Sequence, residues 1–193
     1  MNGRRLSQAI SEGDGISVLV AVDGPEAARA AADAGADAVV VADDAAARVR
    51  AIREATELPL VVFLGEDAAV PAEADACVVA LRERDRGRLG EIRGLATDAC
   101  ELVIRIASEE DLEFALEELD PEILVLGAPE DDEARLAGVL DLLPDVPAGK
   151  LAVADFAART RAEVEELERA GVDGVIVVAE DIAHLVAAAP PDV

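Results

Sequence analysis

Short runs of consecutive apolar residues recur along the chain, separated by longer polar stretches. The runs are rich in valine, isoleucine and leucine and are four to seven residues long, which is typical of parallel strands buried on both faces. They are ISVLVAV (16–22), ADAVVVA (36–42), LPLVVFL (58–64), ACVVAL (76–81), LVIRIA (102–107), EILVLGA (122–128), LAVA (151–154) and GVIVV (174–178). The pattern predicts eight strands.

The polar stretches carry helix signals. The clearest begins at Thr160, a good N-cap with Glu163 placed to close a capping box, and ends at Gly171. Other helices are predicted at 25–35, 45–56, 85–99, 108–119, 131–143 and 181–189, with a short one in the lead-in 1–15. The segment GEDAAVPAEAD (65–75) is short and broken by proline, so the third helix is expected to be reduced or missing.

Strands that alternate with helices indicate parallel βαβ units. A phrase made of a helix end, a turn aspartate and a strand recurs at 34–41, 73–80 and 170–177. These units also fit an open doubly wound sheet, but eight is the number that closes. A compact single-domain (βα)8 TIM barrel is therefore predicted for residues 1–193. Roughly 24 residues per unit is tight beside the ~250 residues typical of the fold, so short βα loops are expected.

The charge balance is strongly acidic. The chain has 42 Asp plus Glu against 17 Lys plus Arg, a net charge of −25, and Lys150 is its only lysine. Such a chain repels nucleic-acid phosphate and anionic membranes, so neither is an expected partner. A dispersed acidic surface with little lysine is similar to proteins of salt-loving organisms, where salt screens self-repulsion. An acidic protein from a GC-rich mesophile is the alternative.

The cysteine content and the absence of long apolar runs favour a cytoplasmic protein. Cys77 and Cys100 match neither a disulfide framework nor a zinc spacing, so buried free thiols are expected. No apolar run approaches the ~20 residues of a membrane span. Arg4 and Arg5 are not followed by the apolar core of a signal peptide.

The segment KLAVADFAARTRAEVEELERAGVDGVIVVAED (150–181) resembles the end of indole-3-glycerol-phosphate synthase, a TIM-barrel enzyme of tryptophan biosynthesis. Residues 102–128 are similar to that family's strand five, helix five and strand six, and residues 51–63 to the segment leading into strand three. The resemblance implies the barrel fold. For the family it also implies decarboxylation with ring closure and loss of water, which needs a general acid and a general base in the barrel mouth, and no cofactor.

The positions that the resemblance assigns to catalysis mostly lack titratable groups here. The family's strand-three lysine falls on Phe63, its strand-one glutamate on Ala21 and its strand-five glutamate on Ile104. Carboxylates remain at Asp155 and Glu180, which are the candidate catalytic residues. Alanine, phenylalanine and isoleucine cannot transfer protons. The chain is therefore expected to be a pseudoenzyme that keeps the scaffold without the ancestral activity.

The comparison with the family also predicts that this chain binds phosphate more weakly. Ala157 and Ala179 stand where the family's phosphate-binding turns have glycine. The basic run 81–88 offers Arg82 and Arg84 as candidate anion-binding residues, although arginines in such an acidic chain more often pair with neighbouring carboxylates. The strand ends also carry many acidic residues, and solvated surface carboxylates are favoured over a metal site there. They are Asp23, Asp43, Asp44, Glu66, Asp67, Asp155, Glu180 and Asp181.

Two further side chains are interpreted as structural. Arg105 alternates with Ile104 and Ile106, so it is predicted to point towards the helices and to pair there with a helix acid. His184 is predicted to lie on the surface of the last helix.

Two interpretations remain open. The favoured one is a non-catalytic barrel with a binding, scaffolding or regulatory role, whose possible ligand is small and anionic. The alternative is a small-molecule lyase or isomerase with a rebuilt site, in which Asp155 and Glu180 supply carboxylates and Arg82 or Arg84 anchors an anionic or phosphorylated substrate. Either a monomer or a homodimer is compatible with the sequence.

Overall fold

A computed structural model describes residues 4–13, 15–42, 48–65, 68–81, 87–127, 132–155, 158, 160–178 and 185, with only the backbone at 132–135. Eight parallel strands close into a barrel in chain order, and β8 pairs with β1. The strands are β1 (Ser17–Ala21), β2 (Ala38–Val41), β3 (Leu60–Phe63), β4 (Ala76–Ala80), β5 (Glu101–Ile106), β6 (Ile123–Leu126), β7 (Leu151–Asp155) and β8 (Gly174–Val177). The predicted (βα)8 barrel and all eight predicted strands are confirmed.

The described residues form seven α-helices. They are α1 (Arg5–Glu12), α2 (Pro25–Asp33), α3 (Val49–Ala55), α4 (Leu89–Arg93), α5 (Glu109–Glu118), α6 (Asp132–Leu142) and α7 (Arg161–Ala170). The described part of the β3–β4 connection contains no helix, as predicted. The prediction for 85–99 was too long, because Gly90 and Gly94 lower helix propensity and α4 ends after five residues. The helix predicted at 181–189 lies outside the described residues, apart from Leu185.

The capping signals read from the sequence act as expected. Thr160 and Glu163 form the reciprocal capping box of α7, and Gly171 ends the helix with a φ of 98°. Ser108 caps α5 by accepting a hydrogen bond from the backbone N–H of Asp111. None of the helices in the described ranges is long and apolar enough to cross a membrane.

Side chains alternate between two apolar cores, one inside the barrel and one between the strands and the helices. The connection between β3 and β4 covers the outer core even without a helix, because Leu64 and Val70 pack against it. The outward-facing Leu60, Val62 and Cys77 are consequently fully buried. The shortened unit therefore leaves these outward side chains of β3 and β4 covered.

Helix α1 closes the end of the barrel where the strands begin. Its Leu6 and Ile10 are 1% and 5% exposed and pack against the inner core. Glu101 at the start of β5 accepts hydrogen bonds from the backbone N–H groups of Leu6 at 2.7 Å and Ser7 at 3.2 Å. The first-turn N–H groups of a helix have no partner within the helix, so this carboxylate fixes α1 in place.

The repeated turn aspartates link neighbouring strands at the same end of the barrel. Asp37 donates its backbone N–H to the carbonyl of Val18 and accepts the Val18 N–H on its carboxylate at 2.8 Å. Asp75 and Leu60 make the same two bonds, and so do Asp173 and Ala152. We call each such pair of bonds an aspartate clamp. The clamps join β1 to β2, β3 to β4 and β7 to β8.

Asp75 also accepts hydrogen bonds from two arginines. Nη1 of Arg5 lies 2.9 Å from one carboxylate oxygen, and Nη1 of Arg53 lies 2.7 Å from the other. Nη2 of Arg53 also donates to the carbonyls of Thr56 and Leu58. This network ties α1 and α3 to the β3–β4 clamp.

The two cysteines are buried free thiols, as predicted. A hydrogen bond with Cys77 and burial together raise the pKa of Cys100, so its thiol stays protonated near neutral pH.

Asp37 has no charge partner among the described residues, and burial raises the pKa of its carboxyl more than the Val18 N–H lowers it. The folded state therefore retains this proton to a higher pH than the unfolded state. The contribution of the protonated Asp37 carboxyl to the free energy of unfolding is fully present below the unfolded-state pKa. It is lost as pH rises through the folded-state pKa. We expect Asp37→Asn to raise the free energy of unfolding, increasingly so with rising pH, because asparagine never ionises and keeps an oxygen for Val18. Urea unfolding between about pH 4.5 and pH 8 measures this.

Asp98→Asn is the matched control, because Asp98 is exposed and its replacement removes the same unit of charge. Identical pH profiles for the two variants would contradict the assignment to Asp37.

Candidate functional site

The mouth of the barrel, where the strands end, is mostly apolar on its inward side. Ala21, Phe63 and Ala80 are the last inward-facing residues of β1, β3 and β4. Val178 lies directly after β8. It is two residues beyond Ile176, which faces inward, so it is on the same side, and it is 69% exposed. This apolar surface surrounds one charged pair.

The charged pair consists of Arg105 at the end of β5 and Asp155 at the end of β7. Nε of Arg105 donates to Oδ2 of Asp155 at 3.1 Å, and Nη2 donates to the same oxygen at 2.8 Å. The two side chains are 29% and 25% exposed, so the pair is partly shielded and still reachable from solvent. Among inward-facing side chains at the described strand ends, these two alone are charged.

The prediction that Arg105 points towards the helices and pairs with a helix acid was wrong. Val103 belongs to the inner core, whereas Ile104 and Ile106 pack in the outer core, so Arg105 faces inward. Strands of a barrel are apolar on both faces, and hydrophobicity therefore does not reveal which residues point inside. Ile104, to which the resemblance assigned the family's strand-five glutamate, therefore faces the helices and not the barrel mouth.

Gly127, directly after β6, makes room for the pair. A Cβ atom at this position would lie 2.9 Å from Cβ and 3.3 Å from Oδ2 of Asp155. Because β6 lies between β5 and β7, the arginine reaches its partner across this strand. The absence of a side chain at Gly127 therefore accommodates Asp155.

Only part of the predicted site falls within the described residues. Asp155 is at the mouth, as its position in the sequence indicated, and Ala21 and Phe63 face inward there. The other candidate site residues, Glu180, Arg82 and Arg84, lie outside the described residues and stay predictions, as does the surface position predicted for His184. The described residues contain no group of three His, Cys, Asp or Glu side chains able to hold a metal.

A groove of about 820 Å³ lies at the opposite end of the barrel, beside the starts of β5 and β6. Its charged residues include Arg4, which pairs with Glu122, and Arg93, which pairs with Glu118. In TIM barrels that end serves stability, and ligands bind where the strands end. The Arg105–Asp155 pair is therefore the better candidate site.

The closed barrel of eight parallel strands with alternating helices places the chain in the class of TIM barrels. No protein-family model matches the sequence, and no curated protein matches it. Solved structures do match: a thiamine phosphate pyrophosphorylase from Pyrococcus furiosus has 18% identity and a TM-score of 0.65, covering 87% of this chain and 90% of its own. A phosphonopyruvate hydrolase has 17% identity and a TM-score of 0.69, covering 92% and 80%.

The wild-type GGGPS from Thermoplasma volcanium has 12% identity and a TM-score of 0.65, covering 95% of this chain and 94% of its own. At such identities the matches show the barrel fold. None of these three is named an indole-3-glycerol-phosphate synthase, so that relationship stays a proposal.

Proposed function

We propose that this chain binds a small anionic molecule in its barrel mouth and does not catalyse the indole-3-glycerol-phosphate synthase reaction. The observation that carries the proposal is the solvent-reachable Arg105 guanidinium, which Asp155 holds at the strand ends, where the other inward-facing side chains of the described strands are apolar. Ligands of TIM barrels bind at this end.

The guanidinium has donors left for a ligand. Asp155 takes one N–H from Nε and one from Nη2, out of the five that an arginine carries. Within the described part of the chain, nothing accepts a hydrogen bond from Nη1 of Arg105. The outer edge formed by Nη1 and Nη2 therefore remains for an anion.

The same geometry argues against catalysis. Oδ2 of Asp155 already accepts both hydrogen bonds from Arg105, and Ala21, Phe63 and Ala80 have no proton to exchange. General acid–base chemistry needs titratable groups within reach of the substrate.

The alternative of a rebuilt lyase or isomerase is favoured by the place of Asp155 at the end of β7, and two matched structures are named for thiamine phosphate and phosphonopyruvate. In that case Glu180, Arg82 and Arg84 complete the site.

Calorimetric titration tests the proposal. The ligands are indole-3-glycerol phosphate, its carboxyphenylamino-deoxyribulose-phosphate precursor, benzoate and phenyl phosphate, in about 1 M KCl to screen self-repulsion. We expect at least one anion to bind with a Kd of about 1 mM or lower, and Arg105→Gln to weaken it about tenfold or more. Because Arg105→Gln leaves Asp155 without its partner, the double variant Arg105→Gln/Asp155→Asn serves as the matched neutral pair.

The proposal is wrong if the folded protein binds none of these anions, or if both variants bind as tightly as the parent. Conversion of the carboxyphenylamino precursor into indole-3-glycerol phosphate, followed by fluorescence, would instead establish the enzyme.

A further inference from the structure

Among the described residues, no second cation contacts the Arg105–Asp155 pair. Arg105 and Asp155 together carry no net charge. Two other arginines of the described ranges lie at the starts of helices that follow strand ends, and neither contacts the Arg105–Asp155 pair. Arg48 donates to the carbonyl of Asp23 at 2.5 Å, and Arg88 pairs with Glu91 at 2.8 Å. An anion that binds Arg105 therefore shares one cation with Asp155.

This arrangement penalises a second negative charge on the ligand. A carboxylate places two negative groups on one guanidinium, whereas a phosphate dianion adds a further charge that no second cation in contact with the pair compensates, as far as the described residues extend. The helix that follows Arg105 also begins with Glu109, Glu110 and Asp111, which repel anions of higher charge. The outer edge of the guanidinium matches the planar, two-oxygen geometry of a carboxylate.

The surroundings of the pair fit an apolar ligand body. Val178 is the one large apolar side chain that is exposed within the described ranges, and it lies at the mouth. Phe63 is half-buried on the inward side, and Ala80 is exposed at the end of β4. Covering this surface with apolar atoms gains about 25 cal/mol for each Å² removed from water.

We infer that the mouth takes a singly charged carboxylate attached to an apolar body, in preference to a phosphate dianion. This inference rests on the proposed anion binding and narrows its ligand class. Arg105 is the residue that contacts the anion, and Asp155 is the positioning residue that also limits the charge that the site accepts.

Four probes test the ligand class by calorimetry near pH 7.5, where phenyl phosphate is mainly a dianion. Benzoate is expected to bind about tenfold or more tightly than phenyl phosphate, which shares its ring, and than acetate, which lacks it. Benzamide, which has the ring without the charge, is expected not to bind. Tighter binding of phenyl phosphate would overturn this inference and leave the proposed function standing. Equal affinities for acetate and benzoate would overturn the inferred preference for an apolar ligand body. If none of the anions binds, both proposals are overturned.

Asp155→Asn tests the selectivity directly, because it raises the charge of the site by one and keeps an oxygen for Arg105. We expect phenyl phosphate to gain about tenfold in affinity relative to benzoate. If the pair were only structural, Asp155→Asn would lower the affinity for all probes equally or leave it unchanged. That result would overturn the role given to Asp155. Val178→Ser is expected to weaken benzoate several-fold and to leave acetate unchanged. Circular dichroism confirms that each variant is folded.

Discussion

Replacing Asp75 by alanine is expected to lower the free energy of unfolding by about 3–5 kcal/mol, because it removes the shared partner of two guanidinium groups. The Asp75 side chain is 13% exposed and binds Arg5, Arg53 and the backbone N–H of Leu60. The arginines would be left without their carboxylate, and one strand clamp would lose a bond. Urea unfolding followed by circular dichroism measures the loss.

Two companion variants separate charge from geometry. Asp75→Asn keeps an oxygen for Leu60 but not the negative charge, so an intermediate loss is expected. Asp98→Ala, in an exposed turn, should change stability by about 0.5 kcal/mol or less. A loss of under about 1 kcal/mol for Asp75→Ala would show that the arginines find other partners.

Leu6→Ala is expected to cost about 2–5 kcal/mol, because the leucine is 1% exposed and its removal leaves a cavity at the base of the barrel. The side chain packs against inner-core residues that no other helix reaches in the described part of the chain. Thermal and urea unfolding both report this loss.

Gln8→Ala, on the exposed side of the same helix, controls for helix propensity and should change stability by about 0.5 kcal/mol or less. Equal effects of the two substitutions would mean that α1 is not docked against the barrel interior in solution.

The strands were predictable because each is a short, mainly apolar run. Polar, glycine-rich or proline-containing segments separate each run from the next. The capping box at Thr160 and the stop at Gly171 were predictable for a similar reason, since both are local signals. The inward direction of Arg105 was not, because Ile104 and Ile106 are equally suited to either core. Deciding it requires the register of the closed barrel.

The candidate site was predicted only at Asp155. Its partner lies fifty residues earlier in the chain and was assigned to the wrong face. The tie between Arg5 and Asp75 spans seventy residues and has no local signature. The recurring turn aspartate was visible in the sequence, but its bonds to the preceding strand appear only when the strands are paired. The salt-adapted character and the oligomeric state stay predictions.

Three of the eight neighbouring strand pairs in the closed barrel carry an aspartate clamp. At β5–β6, which has none, the residue in the corresponding position is Glu122, whose carboxylate pairs with Arg4 instead. The open groove lies at this place. To separate, two clamped strands must break the bond to the aspartate carboxylate together with the backbone hydrogen bonds between them. Between β5 and β6 the described residues form only the backbone hydrogen bonds. The circumference is therefore mechanically uneven. A thermal fluctuation that opens the barrel wall meets more resistance at the three clamped pairs than at an unclamped pair such as β5–β6, on the strand that carries Arg105.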